Sequence, residues 1–390
     1  MFARGITRRL ATIAILCAFG LGGAIVSLGG QTPPKPPRDA GAEAGDEAVR
    51  QRLNQWTVFL GGGSRDSTWM QFASELGEVL DDGDDMRVVP LVSRGAGGNV
   101  QDLLYLRSVD AAFTQLDVLE HFRTARRVPG IDTRIEYVVR LPVAELHVTA
   151  RDNVATLQDL RGRRVVFGGP ETASALTGPI VFERLGIAVE PLFVDHAAGL
   201  RMLIDGEVDG VVGSMSKPAG LWLKIPPRSG LHLLEVPFTE ALGPLYVSGT
   251  FSAADYPDLV SKGRRIETVA VPSVLAVSNA PRTSDRFRRL ERFVQYLFDR
   301  WDRLTGPAFH PRWRDVNLAA TVPGWTRFAP AEDLLRRDPA PSDARGDAAA
   351  PASEFESWLK REGRGASGNR GEHDALFREF LNRREQQRRP

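Results

Sequence analysis

Hydroxyls, charges and glycines gather in three short stretches of this chain. They are "GGGSRDST" at 61–68, "SRGAGGN" at 93–99 and "GGPETAS" at 168–174. Each follows an apolar, strand-like run and precedes a helix-like one. Such a turn presents the unpaired N–H groups of a helix's first turn, and Ser or Thr there adds a hydroxyl. The chemistry that suits is capture of an anion. The candidate ligand contacts are Gly63, Ser64, Arg65 and Asp66 in the first turn and Arg94, Gly97, Gly98 and Asn99 in the second. Glu171, Thr172 and Ser174 supply the third, and Gln115 and Ser214 sit at the carboxyl ends of two further strands. Arg65 or Arg94 can pair bidentately with a carboxylate. Asp66 suits either a ligand's amino group or the helix cap.

Other chemistries lack their residues. The nucleotide pattern GxGxxG, begun at Gly61, meets Asp66 where its third glycine should be, and GxxxxGK[ST] is absent. "SMSK" at 214–217 has the spacing of an S-x-x-K acyl-transfer motif, but it ends a strand and runs into Pro218 instead of opening a helix. No GxSxG elbow occurs. The six histidines show no HxxxH or HExxH spacing, and the one cysteine, Cys17, lies in the N-terminal apolar run. No catalytic residue, metal site or cofactor is expected, nor any disulfide within the mature fold. With 50 basic and 49 acidic side chains, net +1, no global field draws the chain to nucleic acid.

The elements that must position these turns follow a duplicated order. "WTVFL", the first turn, "TWMQFASELGEVL", "MRVVPLV", the second turn, "VQDLLYLR" and "VDAAFTQ" read as strand–helix–strand–helix–strand. "RRVVFG", the third turn, "ALTGPIVFERLG", "VEPLFV", "DHAAG", "LRMLIDG" and "VDGVVGS" repeat the order. Val109-Asp110-Ala111 aligns with Val208-Asp209-Gly210. The fold class is therefore α/β with two lobes, each a mainly parallel sheet flanked by helices. Extended segments at 144–152 and 264–281 form a two-strand hinge. Lobe one is expected over 55–150 and 268–330 and lobe two over 151–267. The helix "DRFRRLERFVQYLFDRWDRL" returns to lobe one on Phe287, Leu290, Phe293, Val294 and Leu297.

Both ends differ in composition from the middle. Arg4, Arg8 and Arg9 precede an uncharged apolar run, which makes 1–30 a signal peptide, cleaved, or an N-terminal membrane anchor, retained. Either way the remainder is exported, and a retained segment would tether it to the inner membrane. Residues 31–54 are expected as a flexible linker. Residues 331–390 are expected as a second linker followed by an amphipathic helix bearing Leu376, Phe377, Phe380 and Leu381.

The residues carry a family resemblance over about 56–328. "GGGSRDSTWMQFASELGEVL" resembles the glycine-rich opening of the TAXI class of TRAP-transporter solute-binding proteins. "SRGAGGNVQDLLYL", "VDAAFTQLDV" and "ATLQDLRGRRVVFGGPETAS" are similar to that class's next three elements, in order. The resemblance implies a type II periplasmic-binding-protein fold. It also implies a periplasmic subunit that closes over a small anionic solute, an amino acid or organic acid, and delivers it to TRAP-type membrane permease subunits. Arg65, Asp66 and Ser67 replace a threonine and glycines of the pattern, and Pro170-Glu171-Thr172-Ala173-Ser174 departs from its GSGT-type loop, which leaves the solute open. Two other readings use the same scaffold: a membrane-tethered ligand sensor or adaptor, and a lyase.

Overall fold

The computed structural model describes residues 40–83, 85–243 and 245–337, with 358, 359, 376, 379 and 380. The chain divides into residues 1–48 and 49–390. The expected signal or anchor lies outside the described residues. Helix α1 (Ala40–Gln55) occupies part of the stretch expected as a flexible linker. The correction has a local cause: its Ala, Glu, Gln and Arg residues are good helix formers, and the prolines stop at Pro37.

In residues 49–390, strand β1 (Thr57–Gly61) leads into α2 (Thr68–Leu80), β2 (Arg87–Leu91), α3 (Ala96–Tyr105) and β3 (Ala111–Gln115). Helices α4 (Leu116–Thr124) and α5 (Ile131–Arg134) precede the long β4 (Ile135–Arg151). The order then repeats as β5 (Arg164–Val166), α6 (Ala173–Arg184), β6 (Glu190–Leu192), α7 (His196–Asp205) and β7 (Gly210–Met215). After α8 (Gly220–Leu223), β8 (Leu231–Leu233) and β9 (Val247–Ser252) comes the second long strand, β10 (Arg265–Ser278). Helices α9 (Asp285–Asp299), α10 (Trp301–Leu304) and α11 (Ala329–Arg337) follow.

The sheet path runs β2-β1-β3-β10-β4-β7-β5-β6, with β8 on β4 and β9 on β10. Each end is a parallel trio, β2-β1-β3 and β6-β5-β7, and the middle is antiparallel. The two trios match in detail. Leu60 pairs with Ala111 as Val165 pairs with Gly210. The Asp110 N–H donates to the Phe59 carbonyl at 3.0 Å, and the Asp209 N–H donates to the Arg164 carbonyl at 2.9 Å. The aligned aspartates thus open the third strand of each lobe in the same way.

Apolar burial divides along the two long strands. One core holds Leu141 of β4 and Val274 of β10 together with α2 and α9. A second begins at Ala144 of β4 and ends at Val271 of β10. Between them lie Pro142 and Pro272, and the register slips between Val271 and Ser273. Proline donates no ladder hydrogen bond. The pairing of the crossing strands is therefore weakest where the chain passes from one lobe to the other. The faces read from helical spacing are buried: Trp69, Phe72, Ala73, Leu76, Val79 and Leu80 on α2, and all five named residues of α9. Fully burying each large apolar side chain is worth about 1.5–3 kcal/mol.

Of the expected C-terminal stripe, Leu376 and Phe380 are described; Phe377 and Leu381 are not. Leu376 and Phe380 pack with Trp358 and Leu359 against Phe238 of lobe two.

Candidate functional site at the cleft

Four helices begin at the carboxyl ends of strands and point their first turns at one cleft. Ser67 caps α2, its Oγ accepting from the Met70 N–H at 3.1 Å. Thr172 caps α6 through the Ala175 N–H at 3.2 Å, and Asp195 caps α7 through the Ala197 N–H at 2.9 Å. Gly95 starts α3 with no side-chain cap, at φ 106°, where a Cβ would be strained. The Ser93 N–H donates to the Gly63 carbonyl at 3.0 Å, which ties the first two turns together.

These turns enclose a cavity of about 80 Å³. Lobe one contributes Gly63, Ser64, Asp66, Ser67, Thr68, Trp69, Gly95 and Ala96. Lobe two contributes the first residues of α6 and α7, Ser214 to Ser216, Leu221 and Trp222. The lobes touch directly here: the Thr68 hydroxyl donates to the Ser216 carbonyl at 3.2 Å. No Lys or Arg is among the lining residues. The positive partial charges at the cavity are those of the helix N-termini, each worth about 0.3–1 kcal/mol to an adjacent negative charge when exposed and more when partly buried, and they stand beside the carboxylates of Asp66 and Asp195, which also line it. His196 lines the cavity and donates Nε2–H to the Val212 carbonyl at 3.1 Å, since a carbonyl can only accept. Its Nδ1 is left as an acceptor, and burial holds its pKa below the usual histidine value.

The thirteen residues expected from sequence separate into four groups, the last being Arg65 alone. Gly63, Ser64, Asp66, Thr172, Ser174 and Ser214 line the cavity. Arg94, Gly97, Gly98 and Glu171 meet at its edge and bond to one another. The Gly97 N–H donates to the Glu171 carbonyl at 2.8 Å, and Arg94 Nη1 lies 2.6 Å from Glu171 Oε2. Asn99 and Gln115 are wholly buried beneath the cavity. Asn99 Nδ2 donates to the Gly62 and Phe113 carbonyls at 2.8 and 2.7 Å, which fixes the first turn from below. Arg65 is exposed and does not line the cavity. The helix cap is Ser67, which leaves Asp66 as an exposed carboxylate beside the cavity.

Sequence reasoning missed the floor that joins the lobes. Gln115 Oε1 accepts from the Ser214 hydroxyl at 3.1 Å and lies 3.2 Å from the Thr177 hydroxyl oxygen. Asp117 Oδ2 accepts from the Thr177 and Tyr246 hydroxyls at 2.6 and 3.1 Å. Burial raises the pKa of Asp117, and the two hydroxyl donors oppose the rise. Thr177 sits one turn beyond Ser174 on the same face of α6; that spacing was the available signal.

Lys217 of "SMSK" donates to Asp255 at 3.1 Å, while the Ser214 hydroxyl is spent on Gln115. The serine and lysine form no nucleophile–base pair. Among the described residues no group of three His, Cys, Asp or Glu can hold a metal, and no helix is long and apolar enough to cross a membrane. A larger groove, about 1150 Å³, lies on lobe two alone, lined by Thr156, Arg184, His232, Glu235 and Thr239 among others. It touches no residue of lobe one, so occupancy there would not depend on the two lobes meeting.

The NMT1-like family model matches residues 60–290, more than half of the chain. No curated protein matches it. A histidine kinase sensor domain with similarity to periplasmic binding proteins is 17% identical, with 67% of this chain and 98% of that one covered and a TM-score of 0.40. The alkanesulfonate-binding protein SsuA from Xanthomonas axonopodis pv. citri, bound to MOPS, is 16% identical, with 78% and 93% covered and a TM-score of 0.40. A TctC solute-binding protein from Polaromonas is 15% identical, with 63% and 88% covered and a TM-score of 0.36.

Proposed function

The chain belongs to the NMT1-like family, and from that premise we propose that it is the extracytoplasmic solute-binding subunit of a TRAP-type transporter of the TAXI class. It captures a small anionic solute, an amino acid or organic acid, between its lobes and delivers it to membrane permease subunits. One observation carries the reading: helix first turns from both lobes border a single cavity. A solute there touches both lobes only when they are closed, so binding favours closure. Gly63, Ser64 and Ser174 supply amides and hydroxyls to that solute, Thr172 and Ser214 hold the walls around it through bonds of their own, and Asp66 supplies a partner for an ammonium group. Closure proceeds by bending at β4 and β10, where Pro142 and Pro272 interrupt the pairing. The protein acts by binding and release, without a catalytic step.

A thermal-shift screen against amino acids and small carboxylic acids tests the reading. A true solute at 100 times its Kd adds about 2.7 kcal/mol of stability. Turnover of a bound acid would instead favour the lyase. A kinase or cyclase partner in place of a permease would favour the sensor.

A further inference from the structure

Glu171 stands in the left-handed backbone region, at φ 66°, which favours glycine over residues with a Cβ. It is held there by lobe one. Its carbonyl accepts from the Gly97 N–H at 2.8 Å and the Gly98 N–H at 3.4 Å, the first-turn amides of α3. Its carboxylate meets Arg94 Nη1 at 2.6 Å and Gln101 Nε2 at 3.4 Å. The fit is close. A Cβ on Gly95 would lie 2.8 Å from Thr172 Cα, and one on Gly97 would lie 3.0 Å from the Glu171 carbonyl oxygen. One acidic residue of lobe two thus occupies a helix N-terminus and a guanidinium at the edge of the cleft.

We infer that Glu171 is an internal occupant of the subsite that would hold a second acidic group, so that the protein selects solutes with one carboxylate over dicarboxylates. The inference rests on the solute-binding reading above and adds a specificity determinant to it. The remaining cavity is small, about 80 Å³. Its lining has no cationic side chain, so Arg94 at the edge is the one nearby for another carboxylate to pair with. A dicarboxylate would have to displace Glu171 from Arg94 before using it.

The test uses matched acids, butyrate against succinate and alanine against aspartate, titrated by calorimetry into the wild-type chain, Glu171→Gln and Glu171→Gly. Glu171→Gln keeps the backbone and removes the charge; Glu171→Gly also relieves the left-handed conformation. The expected result is at least tenfold preference for the monoacid in the wild type. Either substitution should reduce that preference at least tenfold by tightening the dicarboxylate, and adding Arg94→Gln should abolish the gain. Equal or tighter dicarboxylate binding by the wild type, or an unchanged ratio in both variants, would overturn the inference. If the wild type bound monoacid and dicarboxylate equally well, the specificity role would fail and the solute-binding reading would stand. Absence of binding by all three chains would overturn both.

Discussion

Arg94 and Glu171, from different lobes, face each other at 2.6 Å across the mouth of the cleft. Their side chains are 55% and 30% exposed, so solvent screens the pair and its contribution is at most about 1 kcal/mol. The amide bonds from Gly97 and Gly98 to the Glu171 carbonyl, each worth about 0.5–1.5 kcal/mol, complete a latch of modest strength. A latch of that size biases closure and leaves opening accessible. Arg94→Gln should raise the radius of gyration of the solute-free chain in small-angle scattering. Raising the salt on the wild type should move it the same way. Identical profiles for wild type and variant at every salt concentration would remove the latch.

Gly97 separates closure from stability. It lies inside α3, where alanine is preferred over glycine by about 1 kcal/mol. Its Cβ would meet the Glu171 carbonyl oxygen at 3.0 Å. Gly97→Ala should therefore hold or raise resistance to urea while expanding the solute-free chain. A variant that is both as compact and as stable as the wild type would show that lobe two does not seat on α3.

The one Thr177 hydroxyl hydrogen goes to Asp117 at 2.6 Å, with Gln115 Oε1 beside it at 3.2 Å. Thr177→Val removes the donor and leaves a buried carboxylate oxygen short of it, at a cost of about 1–3 kcal/mol. Tyr246→Phe removes only one bond to Asp117 and should cost about 1 kcal/mol. Urea unfolding measures both. Because burial raises the pKa of Asp117, its stabilising contribution is greatest below the unfolded carboxylate range and falls as pH rises through the folded value. Equal and negligible losses in the two variants would mean that the floor network does not join the lobes.

His147 is neutral in the fold. Its Nδ1–H donates to the Glu145 carbonyl at 2.9 Å, and Nε2 accepts from the Tyr256 hydroxyl at 2.7 Å. Burial pushes its pKa down to about 3. Between about pH 6.5 and 3 the unfolded chain binds a proton that the folded chain refuses. The contribution is complete above about pH 6.5 and is lost on acidification, by up to about 1.4 kcal/mol per pH unit. The buried Glu145 and Asp117, with raised values, act in the opposite sense. Comparison with His147→Gln isolates the histidine: the stability difference between wild type and variant should shrink as pH falls from 6.5 to 4. A difference independent of pH over that range would contradict the assignment.

Much of this fold was legible because it is built from local repeats. The helical spacing of Trp69 to Leu80 and of Phe287 to Leu297 identifies buried faces, and the aligned Asp110 and Asp209 mark equivalent strand starts. The three glycine turns and the Ser214 strand end could be read for the same reason, since a helix start is encoded within a few residues. What could not be read was pairing across the cleft. Arg94 finds Glu171, Gln115 finds Thr177, and Asp117 finds Tyr246 only once the two ends of the sheet are brought to face each other. Arg94 and Glu171 were each read as contacts for a solute, and no periodicity reveals that they contact each other. Asn99 resembled a ligand amide because the carbonyls that occupy its Nδ2, those of Gly62 in the first turn and Phe113 in β3, lie elsewhere in the chain.

Backbone amide shifts on titration with an acid that raises the melting temperature test the cleft most directly. Thr68, Trp69, Ala173, Ser174, His196 and Ala197, the first turns of α2, α6 and α7, should move together and saturate with one affinity, while α9 stays still. Shifts confined to the lobe-two groove around Thr156, His232 and Thr239, with those first turns unmoved, would contradict capture between the lobes.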